Sequence, residues 1–347
     1  MRAVLCGYYG MGNGGDEALL ATLLQMLPPE VTPVVLSGNP AQTRSRYGVE
    51  ACDRKATGQV LGALRSSQAF VFGGGSLIQD ASSAFSPLYY AGLMGLAQQL
   101  GLCTLAWGQG IGPLNRSLTR WLAKQIFTGC DGVSVRDGDS AQLLKQWNVD
   151  CLLAPDPVWA LEALPATAVL SLPEPRIAVS LRPHPSLTPA RLQSIITALQ
   201  GLQAESQASV VLLPFQPVQD LAIAQRVQAG LSGPTLILER QDPRQLKGVF
   251  QHVDLTISMR LHGLIMAASE GCICSALSYD PKVNALMKAV ELPGWNLTEL
   301  PLDPAQLQNS WQQHWHQGKP LLASQRQSLR DRALMHRDLL QTVLLGT

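Results

Sequence analysis

Charge is scarce in this chain. Asp, Glu, Lys and Arg make up 15% of its 347 residues, against about 25% in an average soluble domain. Neither sign dominates: 26 Lys and Arg stand against 25 Asp and Glu. No global field exists to hold a polyanion, and nucleic-acid binding is not expected. Long apolar runs are also missing. Residues 81–115 carry no charge, but Pro87, Gln98, Gln99 and repeated glycines break the stretch before the ~18 consecutive apolar residues of a spanning helix. No membrane span is expected. The first residues, Met1 to Gly7, run straight into a glycine loop and lack the apolar stretch and cleavage site of a signal peptide. A cytoplasmic protein is expected. The seven cysteines are odd in number and scattered, which is no disulfide framework. Cys272 and Cys274 have one residue between them, where zinc pairs usually have about two to four. They read as small hydrophobes of a buried strand, and no metal site is expected.

What is present is alternation. The length exceeds the ~250–300 residues at which one core stops growing, so two domains are expected. Apolar runs at Arg2–Tyr8, Val31–Ser37, Ala69–Phe72, Leu102–Trp107, Gly132–Val135 and Cys151–Ala154 alternate with helical periods at Asp16–Leu27, Gln59–Ser66, Leu88–Leu100, Leu118–Phe127 and Ser140–Trp147. The proline-rich segment Leu161–Pro175 reads as a linker. The pattern then restarts, with strands at Arg176–Leu181, Ser209–Leu213, Thr235–Leu238, Val253–Ser258 and Cys272–Leu277, and helices at Arg191–Glu205, Val218–Ala229, Pro243–Phe250 and Leu261–Glu270. Short apolar strands with helical crossovers predict parallel sheets covered on both faces. The expected fold is therefore α/β: two doubly wound Rossmann-like domains, residues 1–165 and 176–300, facing a cleft lined by strand carboxyl ends. Residues 303–347 form a helical tail, in which Trp311 and Trp315 share a face that docks on a domain.

Four segments stand at predicted strand ends. Gly7-Tyr-Tyr-Gly-Met-Gly-Asn-Gly-Gly-Asp-Glu17 formally matches a dinucleotide fingerprint, but no acidic residue follows the second strand, and Asp16 and Glu17 would repel a pyrophosphate. Two readings stand for those carboxylates: they complement the helix dipole, or one of them accepts a hydroxyl proton from a neutral ligand brought close by the glycines. Phe72-Gly-Gly-Gly-Ser76 and Gly108-Gln-Gly-Ile-Gly-Pro113 repeat the glycine architecture, either as tight turns or as open backbone N–H groups for ligand oxygens. In the second half, Ser258-Met-Arg-Leu-His-Gly263 opens a helix. A cation at a helix N-terminus is misplaced for stability, so Arg260 suggests a bound anion, unless a carboxylate across the cleft is its partner. His262 can donate to the same anion and exchange a proton near neutral pH. Arg182, in Ser180-Leu-Arg-Pro183, leaves a strand at the same edge, and two guanidiniums suit a small polyanion.

Together these segments resemble the polysaccharide pyruvyl transferase family in its CsaB-like branch. The resemblance rests on GYYGMGNGGDEALL from Gly7, FGGGSLIQD from Phe72, GQGIGPL from Gly108, SVRDGDS from Ser134, SLRP from Ser180 and SMRLHGLIMA from Ser258, in order along nearly the whole chain. It implies a glycosyltransferase B-like architecture and transfer of the pyruvyl group of phosphoenolpyruvate to two hydroxyls of a sugar or lipid-linked glycan as a cyclic ketal, with no cofactor. It implies a donor site of Arg182, Arg260, Leu261 and His262. The acceptor side is expected at Gly12, Asn13, Gly14, Gly74, Gly75, Ser76 and Gln109. His262 is expected as proton donor or phosphate partner and Asp16 or Glu17 as base, with Asp80 a reserve acid. The cell-wall or envelope setting is compatible with peripheral membrane contact. A nucleotide-sugar glycosyltransferase and a non-catalytic anion-binding protein are the alternatives.

Overall fold

A computed structural model describes residues 1–80, 85–239 and 242–346. Residues 81–84, the start of the uncharged stretch, and Thr347, the end of the tail, lie outside the described residues. The chain divides into two compact units. One holds Met1–Met11, Asp16–Leu161 and the stretch from Leu329; the other holds Gly12–Gly15 and Glu162–Ser328.

The first unit is built on a parallel sheet of β1 (Arg2–Cys6), β2 (Thr32–Ser37), β3 (Glu50–Asp53), β4 (Ala69–Phe72), β5 (Gly75–Ile78), β6 (Cys103–Ile111), β7 (Gly132–Val135) and β8 (Leu152–Leu153). The order is β3-β2-β1-β4-β6-β7-β8, with β5 paired to β6. Helices α1 (Gly14–Met26), α2 (Pro40–Tyr47), α3 (Thr57–Arg65), α4 (Phe85–Gln99), α5 (Ser117–Thr128) and α6 (Gly138–Gln146) make the crossovers. Strand Ala69–Phe72 is buried at every position, as expected of a strand covered on both faces. Elements that no apolar run announces also form, α2, β3 and β5 among them. Helix α2 buries only Thr43 and is held by its ends, with Asn39 accepting from the Gln42 N–H and Gly48 closing it in a left-handed conformation. Edge strand β3 buries only Ala51.

The second unit repeats the plan with β9 (Arg176–Ser180), β10 (Ser209–Leu212), β11 (Thr235–Ile237), β12 (Leu255–Ser258), β13 (Ile273–Ser278) and β14 (Gly294–Asn296). The order is β11-β10-β9-β12-β13-β14, all parallel. Its helices are α7 (Pro189–Ser206), α8 (Pro217–Ala229), α9 (Pro243–Val249), α10 (Leu261–Ser269), α11 (Pro281–Ala289) and α12 (Pro304–Gln317). Trp311 of α12 is fully buried in this core, with Trp315 packed beside it. Burying a large side chain of this kind contributes roughly 1.5–3 kcal/mol. The last helix, α13 (Ala323–Leu345), ends in the first unit. There His336 is fully buried, bonded to Ser134 Oγ and the Pro155 carbonyl, each at 2.9 Å, against the edge of Trp107. Among the described residues, no helix is long and apolar enough to cross a membrane.

In both sheets the chain runs outward in one direction from the first strand and then resumes on its other side. The reversal falls between β1 and β4 in one unit and between β9 and β12 in the other. Loops leaving the carboxyl ends of those strands splay apart, which is where open α/β sheets bind ligands.

Candidate active site

Strands β9 and β12 are direct neighbours, and Ser180 stands opposite Ser258. The Met259 N–H donates to the Ser180 carbonyl at 2.8 Å, carrying the ladder one residue further. Each serine is followed two residues later by an arginine, so Arg182 and Arg260 leave adjacent strands at matching positions. The Ser180 hydroxyl donates to the Leu213 carbonyl at 2.9 Å, and Ser258 Oγ accepts from the Arg260 N–H at 3.0 Å. These bonds tie both loops to the sheet.

The two guanidiniums have different partners. Arg260 Nη2 donates to both carboxylate oxygens of Asp220, at 2.5 and 2.7 Å. Asp220, in the first turn of α8, is wholly buried and also accepts from the Gln216 N–H at 3.0 Å. Arg182 Nη1 donates to the Tyr279 hydroxyl at 2.9 Å, and its guanidinium carbon lies 5.3 Å from the centre of that ring. Both arginines have a buried Nε–H with no acceptor among the described residues. An unsatisfied buried donor costs about 1–3 kcal/mol; Arg2, Arg191 and Arg326 have a buried Nε–H of the same kind, but Arg182 and Arg260 bring two of them to one sheet edge.

His262 lies in the first turn of α10, half-buried, beside half-buried Leu261. Gly263, next on the helix, packs so closely on β12 that a Cβ there would stand 2.8 Å from Ser258 Oγ. Residues Gly12–Gly15 belong to this unit as well. The Gly14 N–H donates to the Phe215 carbonyl at 2.6 Å, and the Gly15 N–H to Asn13 Oδ1 at 3.0 Å. A Cβ on Gly15 would collide with His262 Nδ1. That glycine is what allows main chain to lie against the imidazole.

In the first unit, Glu17 is buried. Its Oε1 accepts from the Gly10 N–H at 2.7 Å, and its Oε2 faces the Tyr47 hydroxyl at 3.3 Å and Arg46 Nη1 at 3.4 Å. Burial pushes its carboxyl up from the ordinary value, with Arg46 and the Gly10 N–H pulling the other way. Asp16 is half-buried, and Gly75 is the residue across from its carboxylate, 3.6 Å from where a Cβ would stand. Ser76 Oγ accepts from Arg136 Nη2 at 2.9 Å, and Arg136 pairs with buried Asp156 at 2.6 Å. Gly12 is exposed, while Gly74 is buried against Leu19 and the Gly108 carbonyl.

The profile of the polysaccharide pyruvyl transferase family matches residues 13–281. The chain belongs to that family. Membership makes the protein a transferase by family. No curated protein sequence matches it. Solved structures of the same fold include a putative UDP-N-acetylglucosamine 2-epimerase from Listeria monocytogenes (10% identity, 100% of this chain and 97% of that one, TM-score 0.69). The enzyme of that name from Neisseria meningitidis, solved with UDP-N-acetylglucosamine, also shares it (10% identity, 100% of both chains, TM-score 0.67). So does a glycosyltransferase from Rickettsia africae (12% identity, 100% and 99%, TM-score 0.60). At such identity the likeness concerns the fold: two Rossmann-like α/β units of the glycosyltransferase B class.

Three expectations change in physical terms. Arg260 does not need a bound anion to balance its charge, because Asp220 of its own unit, not a carboxylate across a cleft, already does so. Gln109 is fully buried, and its amide donates to the carbonyls of Gly73, Phe72 and Trp107 at 2.6, 2.9 and 3.3 Å. It clasps the turn after β4 and has no surface for an acceptor. Asp80 is unsuited to give up a proton. Burial opposes its charge, but the N–H groups of Asn115 and Arg116 and the Thr119 hydroxyl all donate to it, lowering its pKa to about 2. It fixes the turn that leads into α5 instead. The residues missed from sequence are Asp220, Tyr279 and, in the first unit, Arg54 with Tyr8, Tyr89 and Tyr90. Tyr8 and Tyr279 directly follow the ends of their strands or stand two residues beyond, a position that could have drawn notice.

Proposed function

We propose that the protein transfers the pyruvyl group of phosphoenolpyruvate to two hydroxyls of a cell-wall or envelope glycan sugar, forming a cyclic ketal and releasing phosphate. The observation carrying this reading is the pair Arg182 and Arg260 on adjacent strands, each with an unsatisfied buried Nε–H, in a chain of the pyruvyl transferase family. Phosphoenolpyruvate holds a carboxylate and a phosphate near one carbon and needs two cationic anchors. The N-terminus of α10 adds the positive end of a helix dipole.

The reaction begins with a proton delivered to the methylene carbon, for which His262 is the donor. The resulting oxocarbenium-like carbon takes one acceptor hydroxyl, whose proton goes to a base. The C–O bond to phosphate then breaks, and the second hydroxyl closes the ring as its own proton leaves with the phosphate. Arg182 and Arg260 hold charge that persists from substrate to leaving group, and His262 acts only while the proton moves. Asp16 or Glu17 is the base in this scheme, and Glu17 would act from a carboxylate already bonded to Gly10, Tyr47 and Arg46. The donor metabolite and the seven free thiols suit a cytoplasmic setting.

A nucleotide-sugar glycosyltransferase is the second reading, favoured by the solved structures that share this fold. Calorimetric titration separates the two. The transferase reading expects heat from phosphoenolpyruvate and none from uridine or guanosine diphosphate; the reverse result overturns it.

A further inference from the structure

Arg54 stands just past β3, where its guanidinium lies over three phenol rings: 4.9 Å from the centre of Tyr89, 5.4 Å from Tyr90 and 5.7 Å from Tyr8. Nη2 donates to the Tyr90 hydroxyl at 3.0 Å and Nη1 reaches the Gly7 carbonyl at 3.5 Å. The Tyr89 hydroxyl returns a bond to the Arg54 carbonyl at 2.7 Å, so the loop and α4 are locked together. No carboxylate pairs with Arg54 among the described residues. The other well-buried arginines of this unit differ: Arg46 has Glu17 and Arg136 has Asp156. A guanidinium has five N–H donors, and most of those on Arg54 are left for something else.

The cluster sits at the carboxyl-end edge of the first sheet, next to the reversal between β1 and β4. Tyr8, Tyr89 and Arg54 are half-buried, so each keeps a solvent-facing part, while Tyr90 is buried and braces them from below. Phe85, four residues before Tyr89 on α4 and 80% exposed, continues the aromatic stripe along the same helix face. Aromatic faces accept the apolar C–H face of a sugar ring, and phenol hydroxyls can bond its oxygens. A half-desolvated guanidinium without a counter-ion is best satisfied by an anionic oxygen pair.

We propose that Arg54, Tyr8 and Tyr89 form an acceptor subsite for a sugar that carries a phosphate or a carboxylate, the ring lying on the tyrosines and the anion on Arg54. This rests on the glycan-acceptor reading above and adds to it the charge of the acceptor. The test is calorimetric titration of the full chain with glucose 1-phosphate, glucuronate, glucose and inorganic phosphate, with phosphoenolpyruvate titrated into the same preparations. Glucose 1-phosphate or glucuronate is expected to bind at least ~10-fold more tightly than glucose. Which of the two binds identifies the anion, and weaker inorganic phosphate shows that the ring contributes. Arg54→Gln is expected to abolish the preference, and Arg54→Lys to restore part of it, with phosphoenolpyruvate affinity unchanged in both. Tyr89→Leu, which keeps the charge and removes the platform, is expected to weaken both anionic sugars and glucose, and it carries the test if Arg54→Gln does not fold. Equal binding of glucose and the anionic sugars, or a preference that survives Arg54→Gln, overturns the assignment. Failure of phosphoenolpyruvate to bind while the anionic sugar preference holds instead overturns the pyruvyl transferase reading and leaves this subsite standing.

Discussion

At the reversal point of the second sheet, charge is carried by side chains on a stiff ladder: Arg182 and Arg260 leave neighbouring strands, with His262 in the following helical turn. At the matching point of the first sheet, the strands end in glycines, and the ionisable groups nearby mostly serve the unit itself. Glu17 secures the Gly10 loop, Asp80 fixes the turn before α5 and His336 supports Trp107. One topology has thus been finished in two ways, and the difference separates groups whose loss should appear in turnover from those whose loss should appear in stability.

The sharpest break of that comparison is His262→Gln. It keeps hydrogen bonding but cannot protonate carbon, so turnover should fall by ~10²–10⁴ with little change in phosphoenolpyruvate affinity. Steady-state rates and titration on the same variant check this; intact turnover with weakened binding would make His262 a phosphate ligand and no more. Arg260→Ala should blur the comparison, because it strips the partner from wholly buried Asp220. Urea unfolding should show a loss of about 3–5 kcal/mol, so this variant is a poor probe of binding. Asp220→Asn added to Arg260→Ala should recover part of that loss, which tests the unpaired buried carboxylate as the cause.

In the first unit the largest effect should come from acid. Burial lowers the pKa of His336 from its ordinary 6.5 to about 4. Between those values the unfolded chain binds the proton and the folded chain does not, so the stability present above pH 6.5 is lost as the pH falls towards 4. The full loss is about 3 kcal/mol. His336→Gln, unfolded in urea at pH 7.5 and 4.5, should lose less stability than the parent over that interval; an identical loss would exonerate the histidine. Arg182→Ala should have the smallest effect of the set. Its guanidinium has a phenol partner, not a buried carboxylate, so folding should be little altered while phosphoenolpyruvate affinity falls about ten- to a hundredfold.

The parallel strands were legible because a strand covered on both faces must be apolar throughout, as at Ala69–Phe72. The strand-end motifs were legible because glycine, arginine and histidine stand where such runs stop. Helix α2 and strand β3 were not, since their formation rests on caps and on pairing at a sheet edge, with a single buried residue in each. What lies beyond the motifs was hidden by chain distance. Asp220 is 40 residues from Arg260, and Tyr8, Arg54 and Tyr89 come from three separate segments. No local pattern marks a cation whose surroundings are assembled only by the fold.

The pairing of Ser180 with Ser258 has a consequence for how the second unit tolerates change in chain length. Neighbouring strands are held ~4.8 Å apart by their main-chain bonds, and Arg182 and Arg260 are each counted off two residues from that rung. The sheet acts as a calliper for the two cations, and its setting does not depend on the packing of the loops. Residues added to an outer turn would leave the setting alone. One residue inserted between Ser258 and Arg260 would alter it wholly, turning the guanidinium towards the opposite face and away from Asp220. At this edge of the molecule, length is under tighter constraint than residue type.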